Sequence, residues 1–170
     1  MAGWNMSDKG TILIVDDSEP HRAVIARELE KVGYNTATAD SGAKAIQAVA
    51  QEAIDLVLLD VVMPGLDGFT TLRQLRRNNT TQSLPIIMLT ARDDAEDVIQ
   101  ALRLGANDYA VKPIRLSELM GRIETHLKLK RGKDEKLGHY RLIGKLGEGA
   151  MGIVYEAEEI NGEGRAALKV

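Results

Sequence analysis

Short apolar runs alternate with helical patterns along the first 130 residues of the chain. Residues 11–15, 56–60 and 85–90 are almost continuous apolar runs, as expected of strands that are covered on both faces of a sheet. Residues 34–39 and 108–111 are weaker strand candidates. After each of the five predicted strands, apolar residues recur three or four positions apart, and this spacing predicts a helix.

The five predicted helices have clear start and stop signals. Pro20 suits a first helical turn, Ser41 and Asp67 open the second and third helices, and Gly33 and Gly105 end the first and fourth. Their apolar residues are, in chain order, Val24, Ile25, Leu29 and Val32; Ile46, Val49 and Ala50; Phe69, Leu72 and Leu75; Val98, Ile99 and Leu102; and Leu116, Leu119, Met120, Ile123 and Leu127. Five strand–helix units in strict order predict an α/β fold with a doubly wound, five-stranded parallel sheet of flavodoxin-like (βα)5 type.

Composition narrows the range of functions. The 170 residues suffice for one domain and a remainder, and the net charge of -3 argues against binding to nucleic acid or to an anionic membrane. The absence of cysteine excludes disulfides, thiol nucleophiles and cysteine zinc sites, and the three histidines are scattered. No stretch approaches the about 20 apolar residues that a membrane helix needs. We therefore expect a cytoplasmic protein with no nucleic-acid and no membrane partner.

Five chemically distinctive residues fall at the carboxyl ends of four predicted strands. Asp16 and Asp17 follow the first strand, Asp60 ends the third, Thr90 ends the fourth and Lys112 follows the fifth. In an open parallel sheet these ends converge and form the usual ligand site. Clustered carboxylates repel one another, and a hard dication such as Mg²⁺ relieves that repulsion. An aspartate at such a site can attack phosphorus and form an acyl phosphate, with the lysine neutralising phosphoryl oxygens.

A structural explanation exists for each of these residues taken singly. Aspartate often ends a strand because it favours turns and caps helices. An acidic pair, an aspartate, a threonine and a lysine–proline pair at four different strand ends are harder to explain by capping. His21, near the start of the first helix, is interpreted as a surface residue rather than a ligand.

Residues 11–130 resemble the receiver domain of two-component response regulators. The resemblance lies in the segments ILIVDD (12–17), LLDVVMPGLDG (58–68), IMLTA (87–91) and GANDYAVKP (105–113). It implies that Asp60 is the phosphoacceptor. It also implies that Asp17 binds Mg²⁺ directly, that Asp16 binds it through water, and that the Val62 carbonyl completes the protein ligands, with Mn²⁺ as an alternative metal.

The same resemblance assigns the remaining site residues. Thr90 would contact the phosphoryl group, Tyr109 would swing inward behind it, and Lys112 would bind its oxygens. The bond between Lys112 and Pro113 would be cis. Plain packing is the alternative role for Tyr109.

The residues around the phosphoacceptor also suggest how long the phosphoryl group persists. Val62, two residues after Asp60, cannot orient an attacking water, and Arg92 follows Thr90 by two positions. We expect slow loss of the phosphoryl group.

From residue 140 onward the pattern becomes strand-like and rich in glycine. Gly147, Gly149 and Gly152 form a Gly-x-Gly-x-x-Gly motif, but no helical pattern follows it, which disfavours a dinucleotide-binding turn. YRLIGKLGEGAMGIVY (140–155), followed by Ala-Leu-Lys169, resembles the start of a bacterial-type Ser/Thr protein kinase domain. The resemblance implies that the glycines and Val154 cover ATP and that Lys169 binds its phosphates. An ordinary glycine-rich hairpin is the alternative.

The expected organisation is a tail at 1–10, a receiver at 11–130, a charged linker at 131–138 and a truncated kinase N-lobe start at 139–170. The catalytic parts of a kinase are missing, so we expect no kinase activity from this chain and an ATP requirement only in the full-length parent. The kinase segment would be mobile, pack on the receiver, or pair with a second copy.

The combined hypothesis is a phosphorelay module. A histidine kinase or other phosphodonor would load Asp60, and the face of the fourth helix, fifth strand and fifth helix would change. That change would control the attached kinase domain. The same face or the terminal strands could form a homodimer. The alternatives are a phosphorylation-independent interaction module of receiver shape and an aspartyl-phosphate phosphatase, but the latter class needs a second carboxylate two residues after Asp60, where Val62 stands.

Overall fold

The computed structural model describes residues 9–91, 95–131, 136–137, 140–149, 152–159 and 165–169, with side chains described as far as Lys130. The backbone divides into two compact units between Leu127 and Lys128, close to the predicted receiver boundary. The predicted tail at 1–10 lies almost entirely outside the described residues.

Within the described residues, the first unit alternates five parallel strands with five helices. The strands are β1 (Thr11–Val15), β2 (Asn35–Ala39), β3 (Leu56–Asp60), β4 (Ile86–Thr90) and β5 (Asp108–Val111). The helices are α1 (Glu19–Lys31), α2 (Gly42–Gln51), α3 (Gly68–Asn78), α4 (Ala95–Arg103) and α5 (Leu116–Arg131). The sheet order is β2-β1-β3-β4-β5 with every pair parallel, which confirms the flavodoxin-like fold.

The apolar runs of the sequence become the centre of the sheet. Every residue of β3 and β4 is buried, as are four of the five residues of β1. Alternate residues face opposite layers: Leu13 packs toward the α2, α3 and α4 side, and Ile14 packs toward the α1 and α5 side. Because both faces are covered, the strands need no polar alternation.

Local signals fix helix ends at both edges of the sheet. Ser41 and Asp67 cap α2 and α3, with Asp67 Oδ1 accepting from the Thr70 amide at 2.7 Å. Gly33 and Gly105 follow α1 and α4 with positive φ angles, where a side chain would be strained.

The buried faces of three helices differ from the prediction. In α2 the fully buried residues are Gly42 and Ala45, and Ala50 is exposed. In α4 the buried residue is Ala101, whereas Ile99 and Leu102 are 50% and 47% exposed. Small residues face the sheet because they let the helix backbone come close. The predicted inner-face residues Val24 and Val32 of α1 are also exposed.

The second unit contains a four-stranded antiparallel sheet of order β6-β7-β8-β9. Its strands are β6 (Lys136–Leu137), β7 (Tyr140–Gly149), β8 (Gly152–Glu159) and β9 (Arg165–Lys169). The predicted linker at 131–138 therefore overlaps the last residue of α5 and all of β6. No helix within the described residues combines the length and apolarity needed to cross a membrane.

Candidate functional site

Three strand ends of the first unit bring charged side chains together at the carboxyl edge of the sheet. Asp16 and Asp17 directly follow β1, and Asp60 is the last residue of β3, which pairs with β1. Lys112 directly follows β5, and its amide donates to the Thr90 carbonyl oxygen at 2.7 Å. The parallel register therefore explains why residues distant in sequence meet here.

The carboxylates form a compact cluster. Oxygen atoms of Asp16, Asp17 and Asp60 all lie within 4.8 Å of one another. Asp16 and Asp60 are buried, and Asp17 is exposed. Lys112 Nζ lies 2.9 Å from Asp60 Oδ2 and 3.5 Å from Asp16 Oδ2. One lysine therefore faces two of three clustered acids.

The two oxygens of the Asp16 carboxylate differ: one accepts a short hydrogen bond, and the other has, within the described part of the chain, only Lys112 and His21 at ion-pair distance, 3.5 Å. Asp16 Oδ1 accepts a hydrogen bond from the Ser18 amide at 2.8 Å, and the Asp16 backbone carbonyl accepts from Arg22 Nη1 at 2.6 Å. Asp16 Oδ2 is buried and has no hydrogen-bond partner among the described residues. A buried polar atom without a partner commonly marks a place for a ligand or ion.

The environment of Asp60 works against its ionised form. Burial raises the pKa of the Asp60 carboxyl, and the charge of Asp16 adds to the rise, whereas the hydrogen bond from Lys112 opposes it. The Val62 amide also donates to Asp60 Oδ1, at 3.3 Å. An added cation would favour the ionised form that a nucleophile needs.

The donor set fits a hard divalent cation. Three carboxylates within reach of one another, one with a buried oxygen that accepts no hydrogen bond among the described residues, match the oxygen ligands of Mg²⁺. The Val62 side chain is 69% exposed beside this cluster and takes no part in the core.

The remaining predicted site residues that the structure describes lie on β4 and β5 or directly after β5. Thr90 is buried at the end of β4, and its hydroxyl donates to the Ala91 carbonyl at 3.4 Å. Tyr109 on β5 is half-buried against the layer of α2, α3 and α4. The peptide bond between Lys112 and Pro113 is cis. Arg92 lies outside the described residues.

A second polar cluster beside Tyr109 was not anticipated from the sequence. Asp108 Oδ1 accepts from Arg122 Nη1 at 2.8 Å, and Asp108 Oδ2 lies 3.1 Å from His126 Nε2. The Arg122 guanidinium carbon lies 5.8 Å from the centre of the Tyr109 ring. These residues come from β5 and α5, so no local sequence signal could have grouped them.

Gly68 is a further site residue that sequence reasoning missed. A Cβ atom there would lie 2.2 Å from the Asp60 carbonyl oxygen and 2.7 Å from Val61 Cα. Both are backbone atoms, so the first residue of α3 can approach the end of β3 only as glycine. The Asp67-Gly68 pair was the available signal.

An open cavity of about 500 Å³ adjoins the carboxylates. Asp16, His21 and Lys112 line its polar end. The rest is mainly apolar and comes from α1, the end of β4 and the β5–α5 connection; it includes Val24, Ile25, Leu89, Ala91, Pro113 and Ile114. The site thus has an apolar surface on which a partner could rest.

The predicted nucleotide-binding residues lie in the antiparallel sheet of the second unit. Gly147 and Gly149 are in β7, and Gly152 opens β8, where it pairs with Gly149. Val154 of β8 pairs with Lys169 of β9. Their side-chain positions are not described.

Comparison with known proteins identifies relatives of the first unit. Residues 12–124 match the family model described as "Response regulator receiver domain". The uncharacterized transcriptional regulatory protein YkoG of Bacillus subtilis (strain 168) is 42% identical over 133 residues, which cover 78% of this chain and 58% of YkoG. The phosphate regulon transcriptional regulatory protein PhoB of Pseudomonas aeruginosa is 42% identical over 118 residues, covering 69% of this chain and 52% of PhoB.

A solved structure gives the same result for the fold. The receiver domain of the Francisella response regulator 1452 is 32% identical, covers 71% of this chain and 98% of its own, and superposes with a TM-score of 0.65. This chain spans little more than half the length of YkoG and PhoB.

Proposed function

We propose, from the premise that this chain belongs to the response regulator receiver domain family, that Asp60 is the residue that accepts the phosphoryl group. Receiver domains take a phosphoryl group from histidine kinases onto an aspartate and bind Mg²⁺ at an acidic cluster. The observation that carries the proposal is the contact between Asp60 and Lys112 at 2.9 Å, within a cluster of three carboxylates.

The side chains divide the work as follows. Asp16, Asp17 and Asp60, with the Val62 carbonyl, would hold Mg²⁺, which supplies positive charge for the phosphoryl oxygens. An Asp60 oxygen attacks phosphorus, the bond from phosphorus to the donor nitrogen breaks, and the donor imidazole leaves. Lys112 moves from Asp60 to the transferred phosphoryl oxygens, and Thr90 donates its hydroxyl to them. Transfer then depends mainly on positioning and charge neutralisation.

Intact mass spectrometry tests the proposal directly. After incubation with acetyl phosphate and Mg²⁺, the protein should gain the mass of one phosphoryl group, and Asp60→Asn should gain none. Asp40→Asn, which removes an exposed aspartate outside the cluster, should gain as much as the parent. If the folded parent gains nothing with acetyl phosphate or with a histidine kinase, the alternative function as a phosphorylation-independent interaction module replaces this one.

The cavity beside the site suits the approach of a protein donor. Its apolar wall can bury side chains of a partner, while Asp16 and Lys112 at its polar end face the transferring group. Replacing Val24, which is 46% exposed on this wall, by Asp should slow transfer from a histidine kinase and leave labelling by acetyl phosphate unchanged. Equal slowing with both donors would contradict this role.

We further propose that the phosphoryl group is lost slowly. The exposed Val62 side chain offers no group to orient a water, and Val62→Glu or Val62→Asn should shorten the lifetime. A half-life of seconds for the parent in Mg²⁺ would contradict the proposal.

The exposed face of α4, β5 and α5 supports homodimerisation as a response to phosphorylation. Ile99 and Leu102 of α4 and Val111 of β5 are exposed apolar residues. Sedimentation of the phosphorylated and unphosphorylated protein measures the change in mass, and an Ile99→Asp variant should stay monomeric. The strands of the second unit are an alternative dimer contact.

We also propose that the second unit begins a Ser/Thr protein kinase domain that the receiver controls. The antiparallel β7, β8 and β9, the glycines that pair at Gly149 and Gly152, and the pairing of Val154 with Lys169 support it. The family match covers residues 12–124 and does not reach this segment. YkoG and PhoB are transcriptional regulators by name, so the expected absence of a nucleic-acid partner has no support from them.

Any sequence encoded beyond Val170 would distinguish a kinase domain from a DNA-binding domain as the output of the receiver. A kinase parent should encode a glutamate-bearing helix, a catalytic aspartate loop and a second metal-binding aspartate. ATP would then be a cofactor of the parent, and Lys169→Met should abolish its kinase activity while Asp60 still accepts phosphate. A DNA-binding helix-turn-helix pattern there would contradict the kinase proposal.

A further inference from the structure

We propose that Gly42 and Thr71 are positioning residues of the candidate magnesium site. Together they hold the connection between β3 and α3, residues 61–67, which carries the Val62 carbonyl that is proposed above as a metal ligand. The inference rests on the proposed function, because it concerns the same metal site. It adds two residues that are not ligands themselves.

The connection between β3 and α3 is anchored at both ends and largely exposed between them. At its start the Val61 amide donates to the Leu89 carbonyl oxygen at 3.0 Å, and after its end the Gly68 amide donates to the Val61 carbonyl oxygen at 2.9 Å. Val62, between these anchors, is exposed. The position of its carbonyl oxygen therefore depends on how the rest of the connection is held.

Thr71 of α3 holds the last residue of the connection. Its hydroxyl donates to the Asp67 carbonyl oxygen at 2.8 Å, and its amide donates to the same oxygen at 2.9 Å. Thr71 is fully buried, and a buried hydroxyl is costly unless it is hydrogen-bonded. An apolar group of the same shape would therefore remove one of the two bonds that hold the Asp67 carbonyl in place.

Gly42, the first residue of α2, leaves room for this arrangement. A Cβ atom at Gly42 would lie 2.0 Å from Thr71 Oγ1 and 3.0 Å from the Leu66 carbonyl oxygen, which belongs to the connection. Gly42 does not have a positive φ angle, so its backbone conformation does not require glycine. Alanine would also suit a helix better. The close approach to Thr71 and Leu66 is thus what requires glycine at this position.

A side chain at position 42 would disturb the connection that carries the proposed ligand. Atoms that are not bonded do not approach to 2.0 Å, so Thr71 Oγ1 and the Leu66 carbonyl oxygen would have to move. Leu66 lies in the same short connection as Val62, and its displacement would shift the Val62 carbonyl. Removing a group that orients a metal ligand typically weakens metal binding about ten- to hundredfold.

Helix α5 offers two matched control positions. Thr125 Oγ1 donates to the Gly121 carbonyl oxygen at 2.9 Å, which is the same type of bond to the residue four positions earlier that Thr71 makes. A Cβ atom at Gly121 would meet no atom within 4 Å. Neither control residue belongs to the candidate site, so Gly121→Ala and Thr125→Val repeat the chemical changes away from the metal.

Calorimetric titration with Mg²⁺ tests the inference on variants that circular dichroism shows to be folded. We expect Gly42→Ala and Thr71→Val each to weaken Mg²⁺ binding about tenfold, whereas Thr71→Ser, which keeps the hydroxyl, should bind Mg²⁺ like the parent. The Mg²⁺ concentration that gives half-maximal phosphorylation by acetyl phosphate should rise by the same factor in the two weakened variants. Thr71→Val preserves the side-chain shape, so it tests the inference even if Gly42→Ala does not fold.

The outcomes separate positioning from packing. Gly121→Ala and Thr125→Val should leave Mg²⁺ affinity unchanged. Parent-like Mg²⁺ affinity in folded Thr71→Val or folded Gly42→Ala would overturn the inference, even if the variant unfolds more easily, because packing alone would then explain both residues. Equal weakening in Thr71→Ser and Thr71→Val would also overturn it. If the folded parent binds no Mg²⁺, the magnesium site of the proposed function fails, and the inference fails with it.

Discussion

The two edges of the parallel sheet in the first unit treat charge in opposite ways. At the amino edge, the Arg76 guanidinium of α3 donates to the carbonyl oxygens of Gly105 at 2.8 Å and Leu84 at 2.9 Å, and to Asn107 Oδ1 at 2.8 Å. At the carboxyl edge, three carboxylates lie within 4.8 Å of one another, and Asp16 Oδ2 has no hydrogen-bond partner in the described part of the chain. The polar groups at the amino edge are hydrogen-bonded within the protein, whereas the carboxylates at the carboxyl edge need a bound cation.

The hydrogen bonds at the amino edge stabilise the fold, whereas the clustered carboxylates at the carboxyl edge destabilise it when no metal is bound. Asn107 links the amino ends of two strands, because its side-chain oxygen also accepts from the Ile86 amide at 3.0 Å. Burial lowers the pKa of Arg76 to about 10, which still leaves it charged at neutral pH. Removing a charge should therefore destabilise the amino edge and stabilise the metal-free carboxyl edge.

The largest effect is expected for Arg76→Met. Loss of the guanidinium leaves the Gly105 and Leu84 carbonyl oxygens and the Asn107 side chain short of donors, so unfolding free energy should fall by about 3 kcal/mol. Urea denaturation measures the change. Arg77→Met, at the exposed neighbouring position, should change stability by less than about 0.5 kcal/mol. Equal effects of Arg76→Met and Arg77→Met would contradict the idea that the hydrogen bonds of Arg76 stabilise the amino edge.

A smaller loss is expected for Asp108→Asn, at the first residue of β5. Burial opposes ionisation of Asp108, but hydrogen bonds from His126, the Tyr109 amide and Arg122 outweigh it, and the pKa of its carboxyl is lowered. The stabilisation is thus present above the ordinary aspartate range and is lost as pH falls through the lower folded pKa. At pH 7 the variant should lose about 1–2 kcal/mol.

The pH dependence is the sharper part of this prediction. The difference in unfolding free energy between Asp108→Asn and the parent should shrink as pH falls below the ordinary aspartate range, about pH 4, and should vanish only below the lower folded pKa. Glu118→Gln serves as the control. It removes an exposed carboxylate that also pairs with Arg122, and it should have a small effect on the unfolding free energy at every pH. A difference that persists in acid would mean that shape, and not charge, accounts for the role of Asp108.

The smallest effect, of opposite sign, is expected for Asp16→Asn. Without metal, the substitution removes one of three mutually repelling carboxylates and should raise unfolding free energy by about 1 kcal/mol. Added Mg²⁺ should stabilise the parent more than the variant, so that the parent becomes the more stable of the two. Thermal unfolding with EDTA and with Mg²⁺ measures both. A loss of stability in EDTA would show that the carboxyl edge is as well satisfied as the amino edge.

Much of the fold followed from the sequence because the central strands carry an unambiguous signal. The continuous apolar runs at 11–15 and 56–60 are typical of strands covered on both faces, and the convergence of strand ends in a parallel sheet then predicted that Asp16, Asp60 and Lys112 lie together. The buried sides of α2 and α4 did not follow, because Ala45 and Ala101 face the sheet while the larger Ile99 is exposed. Apolar spacing gives weight to large residues and misses close packing by small ones.

The sequence predicted which strand ends contribute to the candidate site but not the distances within it. The sequence could not foresee that Asp16 Oδ2 would lack a hydrogen bond or that His21 would lie 3.5 Å from it. Both depend on how the first turn of α1 leaves β1. The Asp108–Arg122–His126 cluster likewise depends on the packing of α5 against β5, which no local pattern encodes.

At Val62, the stability of the fold and the proposed lifetime of the phosphoryl group can change independently of each other. Because the exposed Val62 side chain contributes nothing to the core, almost any residue can replace it without loss of folding, yet it stands two positions from the proposed phosphoacceptor. Under the proposed role of Val62 in the lifetime of the phosphoryl group, substitutions at this position would change how long a signal lasts. The rest of the domain need not adapt to such a change.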